Sequence, residues 1–359
     1  MAWTEAVAPR VEGQVLTRLS SICGSRGLDR LGSRLAALGE LVADDMVSLE
    51  ADVARLDAGD DVVGCSAAHL ISQPGKRLRP MCVALAARVG KGLDARSREL
   101  AIAVELVHSA TLLHDDVIDV GDVRRGAAAA RTVWGNAASI FAGDWLLVEA
   151  LRRVRRAGVA GTLDRLLEVV DEMIRAEAVQ LERRGRVDTS RDGWLRVVSG
   201  KTAALFRWAM FAGARAGGLS DRECGALEAY GTELGIAFQA VDDLLDLTGD
   251  ASVTGKALFT DLREGKMTWP LIVAAERDPA VRDELARIVA LPPGLESAAG
   301  RESRERVLAA LETTGAVRDC MELARARAAC AVAELAVLPG GPAVDALATV
   351  AEAAVARQA

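Results

Sequence analysis

Aromatic side chains are scarce: six tryptophans, five phenylalanines and a single tyrosine make up 3% of 359 residues. That is too little to pack a β-sandwich, whose pleated faces draw on aromatic and β-branched residues. Cys23, Cys65, Cys82, Cys224, Cys320 and Cys330 never form a CxxC pair, which argues against a zinc knuckle or a secreted disulfide framework and points to a reducing cytoplasm. Basic charge is not in excess either. The 44 Lys and Arg against 51 Asp and Glu give a net charge of −7, so a generally nucleic-acid-binding surface is excluded. No apolar run reaches membrane-spanning length, and the start Met1-Ala2-Trp3-Thr4-Glu5 lacks a basic segment leading into an apolar one; stable membrane insertion is not expected.

Hydrophobic residues, by contrast, reach 51% beside 26% charged ones, a globular mixture in which Ala, Leu and Val carry the packing. Apolar residues recur at three- and four-residue steps, as in Leu38, Leu41, Val42, Met46, Leu49, Val53 and Leu56, and strand alternation is not apparent. Breaks are expected at Gln73-Pro74-Gly75, Gly90-Lys91-Gly92, Arg124-Arg125-Gly126, Ala216-Gly217-Gly218, Leu291-Pro292-Pro293-Gly294 and Pro339-Gly340-Gly341-Pro342. The sequence therefore predicts an all-α fold in one large domain, residues 35–359, after an N-terminal extension, 1–34, that is helical or irregular.

Two acidic motifs stand out on this apolar background. In His108-Ser109-Ala110-Thr111-Leu112-Leu113-His114-Asp115-Asp116-Val117-Ile118-Asp119, a helix would make Asp115 and Asp119 neighbours one turn apart, with Asp116 rotated away. One such DDxxD is compatible with a solvated acidic turn. A second, Asp242-Asp243-Leu244-Leu245-Asp246, repeats the spacing, and Gln239 precedes it by one turn. Facing acid clusters repel unless cations lie between them. Hard oxygen donors without Cys or His alternation point to magnesium, completed by water and substrate phosphate.

Basic groups beside glycine could receive such phosphates: Lys76, Arg77 and Arg79 after Gly75, Arg124 and Arg125 before Gly126, Lys201 after Gly200, Lys256 after Gly255 and Lys266 after Gly265. Arg offers a planar donor fork and Lys a compact charge. Arg77 has no distinct task and reads as a solvated basic residue. His108 lies almost two turns before Asp115 and points the same way; His114 and His69 read as structural. Glu177 and Gln180 either line the site or make capping and surface hydrogen bonds.

In their order and residues, Gly75–Pro80, His108–Asp119, Arg124–Gly126, Gly200–Thr202, Phe238–Asp246, Gly255-Lys256 and Asp261–Pro270 resemble the trans-type isoprenyl diphosphate synthases, the polyprenyl synthetase family. The resemblance implies antiparallel helices around a deep apolar cavity, with the aspartate motifs facing across its mouth. It implies a head-to-tail condensation of isopentenyl diphosphate with an allylic prenyl diphosphate. Asp115, Asp119 and Asp242 would be the principal magnesium ligands, with three ions per active site, and Asp116, Asp243 and Asp246 would support them. Lys76, Arg79, His108 and Arg125 would hold isopentenyl diphosphate; Arg124, Lys201, Thr202, Gln239, Lys256 and Lys266 would hold or orient the allylic diphosphate. A homodimer is implied as well.

Ala127 to Ala130 and Trp269 depart from the usual family pattern without touching an implied metal ligand. Ala110 lies five residues before Asp115, about 7.5 Å along a helix, and with Thr111 leaves room for a growing tail where short-chain members often place an aromatic. A long-chain product, hexaprenyl to decaprenyl, is expected over a farnesyl or geranylgeranyl one. A class I terpene cyclase would have no use for Lys76, Arg79 and Arg125, and a noncatalytic partner subunit no need of complete acid motifs.

Overall fold

A computed structural model describes residues 29–249, 258–290 and 298–356. Four helices come first: α1 (Asp29–Ala54), α2 (Val62–Ile71), α3 (Leu78–Val89) and α4 (Ala95–Ile118). A short antiparallel hairpin follows, β1 (Val123–Arg124) pairing with β2 (Ala127–Ala128). Then come α5 (Ala130–Ala157), α6 (Thr162–Glu182) and α7 (Arg191–Val198), which runs through a π turn, Ser199–Ala203, into α8 (Ala204–Ala216). The chain continues as α9 (Asp221–Thr248), α10 (Thr260–Arg263), α11 (Trp269–Arg277), α12 (Pro279–Val289), α13 (Ala298–Thr313), α14 (Ala316–Glu334), a 3-10 turn at Leu335–Val337, and α15 (Pro342–Ala356).

Local chemistry sets many of these boundaries. Asp61 caps α2 by accepting from the Val63 and Gly64 amides, while α4 and α9 open on capping boxes, Asp94 with Ser97 and Ser220 with Glu223, each satisfying otherwise orphaned amides. The hairpin is closed by Arg125 and Gly126, both at positive φ, 52° and 81°, as a two-residue loop between right-twisted strands requires. Arg125 thus sits where glycine is favoured. The apolar stripe read from Leu38 to Val53 is the buried face of α1. That helix begins at Asp29, so residues 29–34 continue into it; residues 1–28 and the Leu291–Gly294 break lie outside the described residues.

Two hydrophobic clusters form the core. The larger joins α1–α6, α8, the first half of α9, the end of α14 and α15; the smaller joins α7, the second half of α9, α10–α13 and the first part of α14. Helix α9 serves both, burying Leu227, Tyr230 and Leu234 in one and Val241, Leu244 and Leu247 in the other. The Tyr230 hydroxyl, fully buried, donates to the Leu347 carbonyl at 2.7 Å. This packing brings the C-terminal end of α4, the hairpin, the end of α6, the π turn and the last turns of α9 to one mouth.

Candidate active site

The first acidic motif sits at the C-terminal end of α4, where the helix dipole is negative and three carboxylates are least welcome without cations. Helix α4 stops at Ile118, so Asp119 occupies the C-cap rather than a helical turn. Each acid faces a different way. Asp115 approaches the Lys201 ammonium at 3.7 Å; burial pushes its carboxyl up, Lys201 opposes the shift and Glu177 adds to it. Asp116 is buried and accepts from Arg124 at 2.8 Å to Nε and 2.5 Å to Nη2. Asp119 accepts from Lys266 at 2.6 Å through one oxygen and from the Arg184 guanidinium through the other.

Lys201 owes its position to the π turn, whose extra residue per turn aims Lys201 and Thr202 towards α6 and α9. Its ammonium meets Glu177 at 2.5 Å and the side-chain Oε1 of Gln180 at 3.0 Å, which gives the polar pair on α6 a defined task. Thr202 donates to Gln239 Oε1 at 2.9 Å, and Gln239 Nε2 donates to Asp243 at 2.9 Å.

The acids of the second motif divide in the same manner. Asp243 is buried, accepting from the Trp194 indole Nε1 at 2.7 Å and from the Trp269 amide at 3.2 Å; burial, aided by Asp261, still pushes its carboxyl up to about 8. Asp246 accepts from the Thr260 and Asp261 amides at 3.1 and 3.3 Å, holding the start of α10. Asp242 is half-buried and within electrostatic reach of Arg79. Lys201, Thr202, Gln239, Asp243, Lys266 and Trp194 line a cavity of about 130 Å³ between these elements. Lys256 lies outside the described residues.

On the other side of α4, Arg79, His108 and Arg125 gather. Burial pulls the Arg79 guanidinium below its ordinary value; its Cζ lies 4.5 Å from the Phe206 ring centre, and its buried Nε has no hydrogen-bond partner among the described residues. Burial and then Arg79, Arg125, Arg124 and Arg77 hold the His108 imidazole well below its ordinary range, so it is neutral at pH 7. Arg125 donates to the Gln73 carbonyl at 3.3 Å and approaches Glu105 at 3.6 Å. The Lys76 ammonium stands 5.6 Å over the Phe238 ring.

Arg77 differs from the solvated residue expected of it. It is 7% exposed, at φ 45°, and bonds to Glu50 at 2.8 Å, to the Ile71 carbonyl at 3.2 Å and to the buried Glu105. It thereby ties the Lys76 loop to α1 and α4. Ala110 is 2% exposed on α4, and the Thr111 hydroxyl turns back to the His108 carbonyl at 2.8 Å. Phe141 is 59% exposed on α5.

Sequence reasoning did not single out Glu105, Trp194 or Arg184. For Arg184 a signal existed: Arg183-Arg184-Gly185 repeats Arg124-Arg125-Gly126, again before a glycine at φ 80°. Each basic pair supplies one arginine to the first acidic motif.

Among the described residues, no three Asp, Glu, His or Cys converge as a ready metal site. Lys201, Arg124, Arg184 and Lys266 instead stand as cations against Asp115, Asp116 and Asp119. Hard carboxylate donors balanced by cations are the chemistry that receives a hard divalent ion once those partners shift.

Residues 61–300 match the family model described as Polyprenyl synthetase. The chain is 35% identical over 325 residues to the octaprenyl diphosphate synthase of Escherichia coli (strain K12), covering 90% of this chain and 99% of that one. It is 36% identical over 310 residues to the nonaprenyl diphosphate synthase of Mycobacterium tuberculosis, covering 84% and 89%. A crystal structure of a polyprenyl synthase from Caulobacter crescentus CB15, complexed with calcium and isoprenyl diphosphate, superposes with a TM-score of 0.82 at 35% identity, covering 90% of this chain and 98% of that one.

Proposed function

The chain belongs to the polyprenyl synthetase family and is a prenyltransferase of the long-chain trans type, and from this we propose how its own residues divide the reaction. Isopentenyl diphosphate sits on Lys76, Arg79, His108 and Arg125. The allylic diphosphate sits between the acidic motifs, with Lys201, Thr202, Gln239 and Lys266 around it; Lys256 is assigned there too. We assign residues 35–359 to the catalytic domain.

The observation that carries this reading is the unpartnered, buried Nε of Arg79 beside a neutral histidine and a second arginine. A buried donor without an acceptor is costly, and a diphosphate oxygen supplies the acceptor. The neutral imidazole of His108 can donate a hydrogen bond without adding charge.

Asp115, Asp119 and Asp242 would hold magnesium, three ions per site, with Asp246 supporting them. When bound, the ions polarise the allylic diphosphate and stabilise the charge that develops as it departs. We assign indirect parts to two acids, supported by their hydrogen bonds: Asp116 holds Arg124, and Asp243 holds Gln239, which in turn sets Thr202. Lys201 steadies the leaving diphosphate from the π turn. The apolar faces of the surrounding helices exclude water from the allylic cation until the isopentenyl double bond attacks.

A homodimer is also proposed. Val133, Ile140, Phe141 and Val148 on α5, and Leu167, Ile174 and Leu181 on α6, are exposed apolar residues, the last three at seven-residue steps. Such stripes favour burial against a second copy. No described helix is long and apolar enough to cross a membrane, and the cytoplasm is the assigned location.

The deciding experiment incubates purified protein with magnesium, isopentenyl diphosphate and farnesyl diphosphate and reads product mass. Hexaprenyl to decaprenyl diphosphate is expected, and none after chelation. A hydrocarbon released without isopentenyl diphosphate would instead reveal a cyclase.

A further inference from the structure

Asp119 has both carboxylate oxygens occupied: Oδ1 by Arg184 and Oδ2 by Lys266. The two cations reach it from loops that are locked together. The Gly185 amide donates to the Gly265 carbonyl at 2.9 Å, and Arg184 Nε donates to the Glu264 carbonyl at 2.9 Å. Gly265 sits at φ 77°, and a Cβ there would come within 2.6 Å of the Gly185 nitrogen, so the approach depends on glycine.

The two cations differ in what else holds them. Lys266 has a second carboxylate, Glu264, at 2.7 Å. Among the described residues, Arg184 has two carbonyl oxygens besides Asp119, those of Glu264 and Ile118, the latter at 3.1 Å. A divalent ion taking Asp119 must displace at least one of the pair. Lys266 then remains neutralised, whereas Arg184 becomes a guanidinium without a carboxylate, about one-third exposed at the mouth.

Resting on the reading of the site as a metal–diphosphate centre, we propose that Arg184 is a further diphosphate-binding residue. It is the counterion of Asp119 in the metal-free protein and transfers to an oxygen of the allylic diphosphate once metal occupies Asp119. A guanidinium suits this exchange because its donor fork matches carboxylate and phosphate oxygens alike. The neighbouring carbonyls keep it in place during the transfer.

The test uses full-length protein and two probes: Mn²⁺ alone, followed by the electron paramagnetic resonance of the free ion, and inorganic diphosphate at saturating Mg²⁺, followed by calorimetry. Arg184→Ala is expected to bind Mn²⁺ several-fold more tightly than wild type, because a competitor for Asp119 is gone. The same variant is expected to bind diphosphate about tenfold more weakly, as the loss of one charge-assisted contact implies. Arg184→Lys is expected to recover part of the diphosphate affinity. Unchanged diphosphate affinity in Arg184→Ala overturns the proposal. So does a joint loss of Mn²⁺ and diphosphate affinity that Arg184→Lys does not relieve, which marks a purely structural contact. Wild-type protein that binds no diphosphate with Mg²⁺ refutes the reading of the site itself, independently of Arg184. Circular dichroism on each variant establishes that the binding comparison is made between folded chains.

Discussion

The indole of Trp194, on α7, reaches across to Asp243 on α9 at 2.7 Å and decides which of two adjacent acids turns inward. Asp242, one residue earlier on α9, is half-buried rather than enclosed and lies within electrostatic reach of Arg79. Under the proposed assignment, neighbours in sequence divide into a metal-holding group and a structural one.

Exchanging these acids for alanine is therefore expected to give opposite signatures. Asp242→Ala should cut turnover by roughly two orders of magnitude or more, as loss of a charge-stabilising group does, with little change in the denaturant midpoint. Asp243→Ala strands the buried Trp194 donor and should cost about 1–3 kcal/mol in urea unfolding. A stable, fully active Asp242→Ala variant would remove Asp242 from the mechanism.

His108 gives the protein a pH dependence of defined sign. Its ordinary value is 6.5, and the fold holds it well below that. Below pH 6.5 the unfolded chain binds a proton that the folded chain refuses, so this contribution to stability is complete above about pH 6.5 and is lost as the pH falls. Unfolding midpoints of substrate-free protein between pH 7 and 5 should fall less steeply in His108→Gln than in wild type. Parallel curves would mean that His108 charges as readily in the fold as out of it.

Ala110 is buried 2% exposed on the inward side of α4, five residues before Asp115. Ala110→Phe is expected to shorten the product by several isoprene units while the first condensations continue, because overfilling the tail path leaves the acids in place. Product masses by chromatography check this; an unaltered distribution would place the tail elsewhere.

Phe141 projects from α5 with 59% of its surface exposed. Phe141→Asp should convert a dimer into monomer in light scattering. A dimer of undiminished stability would locate the interface on another face.

The periodicity of Leu38 to Val53 revealed α1, and the i,i+4 spacing of Asp115 and Asp119 located the mouth, because both are written in local repeats. What escaped was set by tertiary approach. That Asp119 ends a helix, that Arg124 locks onto Asp116, and that Arg77 is buried between Glu50 and Glu105 all depend on chain segments far apart in sequence. Glu105 lies on an apolar helix, and no repeat in the sequence marks Arg77 and Arg125, which approach it. The Arg183-Arg184-Gly185 triplet was readable as a copy of the earlier one, although its target was not.

The π turn at Ser199–Ala203 leaves α7 and α8 as one rod carrying a residue too many for regular α geometry. Removing a single residue from it would restore regular α geometry locally, because the wider turn already absorbs the extra residue between its two flanks. Lys201 and Thr202, which lie within the turn, would lose their direction towards Glu177 and Gln239, while Trp194 on the flanking helix kept its own. With Lys201 assigned to the leaving diphosphate, catalytic competence rests on an insertion that local helical propensity works to eliminate, so a one-residue deletion in this stretch should be harsher on function than most substitutions within it.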